Sequence, residues 1–300
     1  MEARLNFIAR EPGLRLDKML AGQMADYSRS RIQRLIEDGF VMVNGAVSKP
    51  ACRLEAGDVV NVIIPSSPPS GLVAQKMPLD IIYEDDDIIV VDKPAGLSVH
   101  PGPGHPDKTL VNAVLGYAPN VSGGEEGRPG IVHRLDKDTS GIIIIARHPK
   151  AHLCLVKQFK NREVKKTYIA LVKGRLIPET GFIEAPIGRD RSHRKKMAIA
   201  AIKNGREART GYRVKEYINE LTLLEVMPET GRTHQIRVHL AAIGHPILGD
   251  STYGTGSEAL SRQFLHASKI EFRLPSSSKE VVFETPLPPD LEEALAALRA

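Results

Sequence analysis

Gly130-Ile-Val-His133-Arg134-Leu-Asp136-Lys137-Asp138-Thr139-Ser140-Gly141 runs directly into Ile142-Ile-Ile-Ile-Ala146. Successive side chains of a strand point to opposite sides, so a run with no polar position predicts a strand buried on both faces. The loop ahead of it is thereby tied to the rigid centre of a domain. That loop gathers a histidine, an arginine, a lysine and two carboxylates at the mouth of the strand. Two readings fit the cluster. One is a capped turn with a structural Asp–Arg pair. The other is a site in which an aspartate acts as nucleophile or general base, held ionised by a nearby guanidinium.

Outward from this stretch the pattern is β-rich. Residues 80–83, 88–91, 168–172, 208–217 and 221–226 read as strands, with helical spacing only at 110–117, 152–161 and 233–242. This is neither a regular βαβ alternation nor an all-β chain, and it predicts an α+β domain with a large mixed or antiparallel sheet over residues 79–300. Residues 14–64 read as a separate small module of two amphipathic helices, at 14–24 and 28–38, followed by strands. Ser28 is placed to cap the second helix. Asn44-Gly45 between apolar residues signals a tight hairpin. Arg29, Arg31 and Arg34 fall in the second helix, with Arg31 and Arg34 on a face opposite Ile32, Leu35 and Ile36. Pro65-Ser-Ser-Pro-Pro-Ser-Gly71 has no apolar residue and opens a linker over 65–78.

At 300 residues, 42% hydrophobic and 26% charged, the chain has the bulk composition of a soluble two-domain protein. No apolar run approaches the ~18 residues of a membrane span. The start, Met-Glu-Ala-Arg-Leu-Asn, lacks the order of a secretory signal. Two cysteines, Cys52 and Cys154, stand in no metal-binding spacing, so a reducing cytoplasmic setting is expected. Charge is unevenly spread: residues 150–215 carry 18 Lys and Arg against 5 Asp and Glu, whereas residues 1–64 carry 9 against 8. Such a block suits a phosphate-rich partner. A nucleotide loop is disfavoured, because in Gly102-Pro-Gly-His-Pro-Asp107-Lys108-Thr109 an aspartate takes the place where glycine lets backbone approach phosphate.

A second polar cluster is Thr230-Gly-Arg232-Thr-His234-Gln-Ile236-Arg237-Val-His239. On a helix starting near Thr233, His234, Arg237 and Val238 share a face, and the Gly-Arg turn at its start also suits phosphate.

His-Arg-Leu-Asp-x-x-Thr-Ser-Gly before an apolar strand, with Thr-Gly-Arg-Thr-His-Gln-Ile-Arg-Val-His downstream, resembles the RluA family of pseudouridine synthases. Asp92-Lys-Pro-Ala-Gly96, Val99-His-Pro-Gly102, Lys166-Thr-Tyr168-x-Ala170 and Phe264-Leu-His-Ala267 agree. Residues 14–64 resemble the S4 type of RNA-binding module. The resemblance implies isomerisation of uridine, in which the N1 glycosidic bond is broken and the base rejoined through carbon five. It requires neither cofactor nor metal. A stacked base must first be extruded. Asp136 then corresponds to the catalytic aspartate, Arg237 to its arginine partner and Tyr168 to the tyrosine that stacks on the base. Arg134 would occupy the space left by the extruded nucleotide. His133, Arg232 and His234, with Arg29, Arg31 and Arg34, form the expected RNA-binding set, and Ile236 and Leu265 the apolar pocket walls. Short boxes outside these motifs lean toward the branch of ribosomal large subunit pseudouridine synthase D. That branch implies the helix 69 hairpin of large-subunit ribosomal RNA, or a pre-ribosomal particle, as partner, with no obligate protein partner. The alternative is a non-catalytic RNA-binding assembly factor using the same basic surface.

Overall fold

The computed structural model describes residues 3–300 apart from 25, 26, 28, 65–71, 103–105, 125, 126, 191, 192, 194, 195, 201–204, 258 and 259. Ser28, the proline-rich start of the linker and part of the interrupted glycine loop lie outside the described residues.

The amino-terminal part folds as strand β1 (Ala3–Ile8), helices α1 (Leu16–Gln23) and α2 (Arg29–Glu37), then β2 (Val41–Val43), β3 (Ala46–Val47) and β4 (Val59–Ile64). Its four-stranded sheet has the order β1-β4-β2-β3. β1 lies ahead of residue 14, where the module was expected to start, and pairs antiparallel with β4. The Asn44-Gly45 turn joins β2 to β3 with both residues at positive φ, 50° and 81°, the twist a two-residue hairpin requires. Ile32, Leu35 and Ile36 turn inward from α2 onto Leu16, Leu20, Val60 and Val62. Within this core the Asp17 carboxylate is fully buried, and it receives Arg29 Nη2 at 2.7 Å, Arg15 Nε at 3.0 Å and Gln33 Nε2 at 2.6 Å. Those donors hold Asp17 well below the usual carboxylate range, Arg15 most of all and against the effect of burial.

The remainder is built on one nine-stranded sheet. Its strands are β5 (Asp80–Glu84), β6 (Ile88–Lys93), β7 (Ser140–Ala146), β8 (Lys165–Lys173), β9 (Thr180–Glu184), β12 (Arg209–Ile218), β13 (Leu221–Pro228), β14 (Leu265–Arg273) and β15 (Glu280–Glu284). A separate hairpin is formed by β10 (Ile187–Arg189) and β11 (Met197–Ile199). Four helices complete it: α3 (Leu110–Tyr117), α4 (Pro149–Lys160), α5 (Gln235–Ala242) and α6 (Pro289–Arg299). The path across the sheet is β5-β6-β7-β14-β8-β13-β12-β9, with β15 also on β14. Every pairing in it is antiparallel except β7 with β14. The sheet is therefore mixed, as expected for an α+β chain.

β7 is buried along its whole length. Ile143 and Ile145 face the larger core with Leu110, Leu171 and Phe264, whereas Ile142 and Ile144 face a second core with Leu155 and Phe272. The isoleucine run thus separates two apolar layers, so the loop at its start cannot drift without disturbing both. Gly141, at the entrance, has φ +112°, and a Cβ there would stand 2.3 Å from the Ala267 carbonyl oxygen. Only glycine lets β7 meet β14 at that point. No helix among the described residues is long and apolar enough to cross a membrane.

Candidate active site

The loop 131–139 presents Asp136 beside the first turn of α5. Arg237 Nη1 donates to Asp136 Oδ2 at 3.1 Å. The other edge of the same guanidinium makes a bidentate pair with Asp250, Nε to Oδ2 at 2.7 Å and Nη2 to Oδ1 at 2.9 Å. The Asp250 side chain is fully buried, and its Oδ1 also accepts the backbone N–H groups of Thr252 and Tyr253. Burial alone would raise Asp250. Arg237 and these N–H groups more than offset it, so Asp250 is held below the usual carboxylate range. Burial likewise opposes the charge on Arg237, yet Asp250 and then Asp136 hold it firmly protonated. The result is a linear arrangement in which a buried carboxylate fixes the arginine that fixes Asp136. Because a planar fork serves both carboxylates, lysine would not replace it.

His234, in left-handed conformation at φ 56°, sits at the start of α5. Its Nε2 lies 4.0 Å from Asp136 Oδ1, and its Nδ1 is 2.8 Å from the Tyr253 hydroxyl. Arg237 lies over the Tyr253 ring at 5.1 Å. Tyr168 is buried on β8, opposite Val226 and Ala267. Its hydroxyl makes no hydrogen bond among the described residues. Burial, and then the Asp136 charge, push its ionisation well above the usual phenol range, so the hydroxyl keeps its proton. Ile236 and Leu265, both buried, follow on α5 and β14.

The Asp136 loop is held from several sides. Lys93, fully buried at the end of β6, donates to the carbonyls of Pro94 at 2.8 Å, Leu97 at 3.0 Å and Lys137 at 3.1 Å. Burial pushes its ammonium down to about 7, opposed by the charges of Asp138 and Asp136. Arg262 Nη1 donates to the Asp138 carbonyl at 3.2 Å while its fork grips Asp290 of α6 at 2.7 and 2.9 Å. Gln263 Nε2 donates to Thr139 Oγ1 at 3.2 Å.

Other expected residues are placed differently. His133 was expected to touch RNA but turns inward. Its Nε2 accepts the Ile144 N–H at 2.9 Å and its ring stacks on Phe159 at 4.8 Å. Burial pushes it down to about 3, so it is neutral and brings no charge to a phosphate. Arg29 is committed to Asp17, and Arg232 Nε donates to the Glu207 carbonyl at 2.9 Å. Arg134 is exposed at the mouth of the loop. Arg31 and Arg34 sit on α2, in the four-stranded module. Asp250 and Tyr253 escaped the sequence reading. Their only signal is the polar turn Gly249-Asp-Ser-Thr-Tyr-Gly254 after an apolar stretch, which names no partner. Among the described residues no cluster of His, Cys, Asp or Glu could hold a metal ion.

Comparison with known proteins gives this arrangement its context. A family model described as RNA pseudouridylate synthase matches residues 87–242, and a model of the S4 domain matches residues 14–60. An "Uncharacterized RNA pseudouridine synthase" of Chloroflexus aurantiacus is 51% identical over 287 residues, 95% of this chain and 90% of that protein. A "Ribosomal large subunit pseudouridine synthase D" of Nitrosomonas europaea is 44% identical over 297 residues, 96% of this chain and 85% of that one. The structure titled Human RNA Pseudouridylate Synthase Domain Containing 1 superimposes with a TM-score of 0.59 at 29% identity, covering 75% of this chain and 96% of its own. Similarity of this extent reaches well beyond the two polar motifs into the sheet that carries them, and the chain belongs to the RNA pseudouridylate synthase family, with an S4 domain at its amino-terminal end.

Proposed function

We propose that the chain isomerises uridines of bacterial large-subunit ribosomal RNA, in the helix 69 hairpin, and that Asp136 is the catalytic aspartate. The observation that carries the catalytic part is the unequal use of the Asp136 oxygens. Oδ2 is taken by Arg237, while Oδ1 accepts no hydrogen bond among the described residues. That leaves the second carboxylate oxygen free to act on an extruded nucleotide. The buried Tyr168 ring would stack on its base, and Ile236 and Leu265 would wall the pocket. Arg134, exposed and planar, would take the position the base vacates.

The target rests on relatives named ribosomal large subunit pseudouridine synthase D, in Nitrosomonas europaea, Xanthomonas campestris and Vibrio parahaemolyticus among others. Loop uridines also cost less to extrude than paired ones. In this reading residues 14–64 are an RNA-binding module, 65–78 a linker and 79–300 the catalytic domain, all working in the cytoplasm during ribosome assembly. The test is to map pseudouridine in ribosomal RNA from cells with and without the gene, complemented by wild type or Asp136→Asn. Loss in helix 69 restored only by wild type is expected. Loss in another hairpin refutes the target and spares the activity. No change in any RNA would favour a non-catalytic assembly factor.

A further inference from the structure

The Tyr253 hydroxyl stands between two nitrogens. The backbone N–H of Met197, on β11, donates to it at 2.8 Å, and His234 Nδ1 lies at 2.8 Å on another side. A phenol has one proton to give. With the Met197 N–H already spending a lone pair, the acceptor within reach of that proton is His234 Nδ1. In the reverse arrangement Nδ1–H would make the hydroxyl a double acceptor of protein N–H groups. It would also turn the Nε2 lone pair toward Asp136 Oδ1 at 4.0 Å, lone pair facing carboxylate.

Charged groups face the ring from three segments: Asp136 and Arg134 from the loop before β7, Arg237 from α5, and Asp250 from the turn that carries Tyr253. Burial dominates them and keeps the imidazole below its usual range, with Asp136 opposing. Near neutral pH both effects together favour the neutral ring. Its backbone sits at φ 56°, in the left-handed region at the start of α5.

We infer that His234 is a neutral hydrogen-bond donor, its proton on Nε2 beside Asp136 Oδ1, and that Tyr253 is the positioning residue that fixes this tautomer. The ligand of that N–H is a carbonyl oxygen of the uracil being cleaved. When the C1′–N1 bond breaks, its electron pair leaves with the base and spreads over N1 and the carbonyl oxygens. An N–H donor meets this charge without transferring its proton, so no further reactant is needed. This step rests on Asp136 as the group acting at the sugar.

The tautomer is read without turnover. Long-range proton–nitrogen spectra of the full-length protein near neutral pH, with the His234 signals identified by their absence in His234→Gln, should show a neutral ring protonated on Nε2. In Tyr253→Phe the same ring should become a mixture of tautomers. A ring protonated on Nδ1, or doubly protonated, in the wild type overturns the inference. Single-turnover assays on a large-subunit RNA transcript supply the functional arm. His234→Gln places an amide N–H near Nε2 and should keep the rate within about threefold, whereas His234→Leu should lose about 10²-fold with little change in RNA affinity. Tyr253→Phe should lose roughly tenfold, again in rate rather than affinity. A leucine variant as fast as wild type, or a glutamine variant as slow as leucine, removes the donor role. An active Asp136→Asn would instead sink the aspartate reading and leave the spectra untouched.

Discussion

Asp136 owes its position to residues that never need to meet the substrate. Asp250 orders Arg237, and Arg237 occupies one of the two Asp136 oxygens. Replacing Asp136 by asparagine keeps the volume and removes the charge, so turnover should fall by at least about 10³-fold while unfolding and RNA affinity change little. Single-turnover rates and RNA gel shifts check this, and residual turnover within tenfold of wild type would sink the assignment. Asp250→Asn should act in the same direction but less severely, because it leaves the buried Arg237 with one carboxylate partner in place of two. The family resemblance pointed to Asp136, Arg237 and Tyr168, and the structure joins the first two by a hydrogen bond. The motif made His133 misleading, since a histidine beside an arginine and an aspartate looks the same whether it faces solvent or a strand. Its inward role gives a pH signature. The folded value, about 3, lies below the ordinary histidine value of 6.5. Stability from the neutral ring is therefore complete above the unfolded value and is lost as pH falls from there toward the folded value. The loss approaches about 1.4 kcal/mol per pH unit for each proton the unfolded chain binds in excess. His133→Gln retains an acceptor for the Ile144 N–H, so it should show a flatter fall between neutral and acid pH in denaturant titrations. A slope identical to wild type would refute the assignment. Other lowered histidines contribute with the same sign and cancel in the comparison.

At the scale of elements, the site depends on how β7 and its loop are clamped. The strand was legible because an unbroken isoleucine run has no solvent face, and the structure distributes those residues alternately to two cores. What holds the loop was not legible. Lys93 and Arg262 reach it through backbone carbonyls, and a carbonyl contact leaves no pattern in side-chain spacing. Nor were β9, β10, β11, β14, β15 and α6 anticipated. The first three are short, two of them with a glycine, and β14 mixes His, Lys, Glu and Arg with its apolar residues, which blurs its alternation. α6 sits far along the chain from the core that receives Leu291 and Leu295. Its Asp290 also anchors Arg262, so α6 supports the Asp136 loop directly. Lys93→Met fits apolar volume into the same space but leaves the carbonyls of Pro94, Leu97 and Lys137 without their donor. It should reduce turnover by about 10- to 10²-fold and cost roughly 1–3 kcal/mol. Leu291→Ala should cost about 2–5 kcal/mol by opening a cavity, with turnover intact wherever the protein stays folded. Paired denaturation and turnover measurements separate the two, and a Lys93 variant that loses only stability would show that the ammonium does not position the loop.

Across the whole molecule, the positive charge of residues 150–215 was readable from composition, and its distribution was not. The described residues of this stretch include α4 and β8 to β12. Part of its charge is neutralised internally, by Arg162 with Glu207 at 2.8 Å, Lys215 with Glu225 at 3.0 Å and Arg213 with the same glutamate. We therefore expect fewer phosphates to be held than the formal charge suggests, which the salt dependence of RNA binding would measure. The slope of log affinity against log salt is about 0.7 to 0.9 for each phosphate neutralised. In the S4 domain, Arg29 is spent on Asp17, and Arg31 and Arg34 are the other cations of α2. A second contact tethered to the catalytic domain raises the effective concentration of RNA at the site without touching the chemistry. Deleting residues 1–70 should then raise the apparent Michaelis constant by roughly 10- to 10²-fold and reduce the salt slope, with turnover at saturation within about threefold of wild type. Arg31→Ala with Arg34→Ala should reproduce part of that effect in the full chain. If the truncated and folded protein loses turnover at saturating RNA while its salt slope is unchanged, the amino-terminal domain contributes to the chemistry and the tethering argument fails.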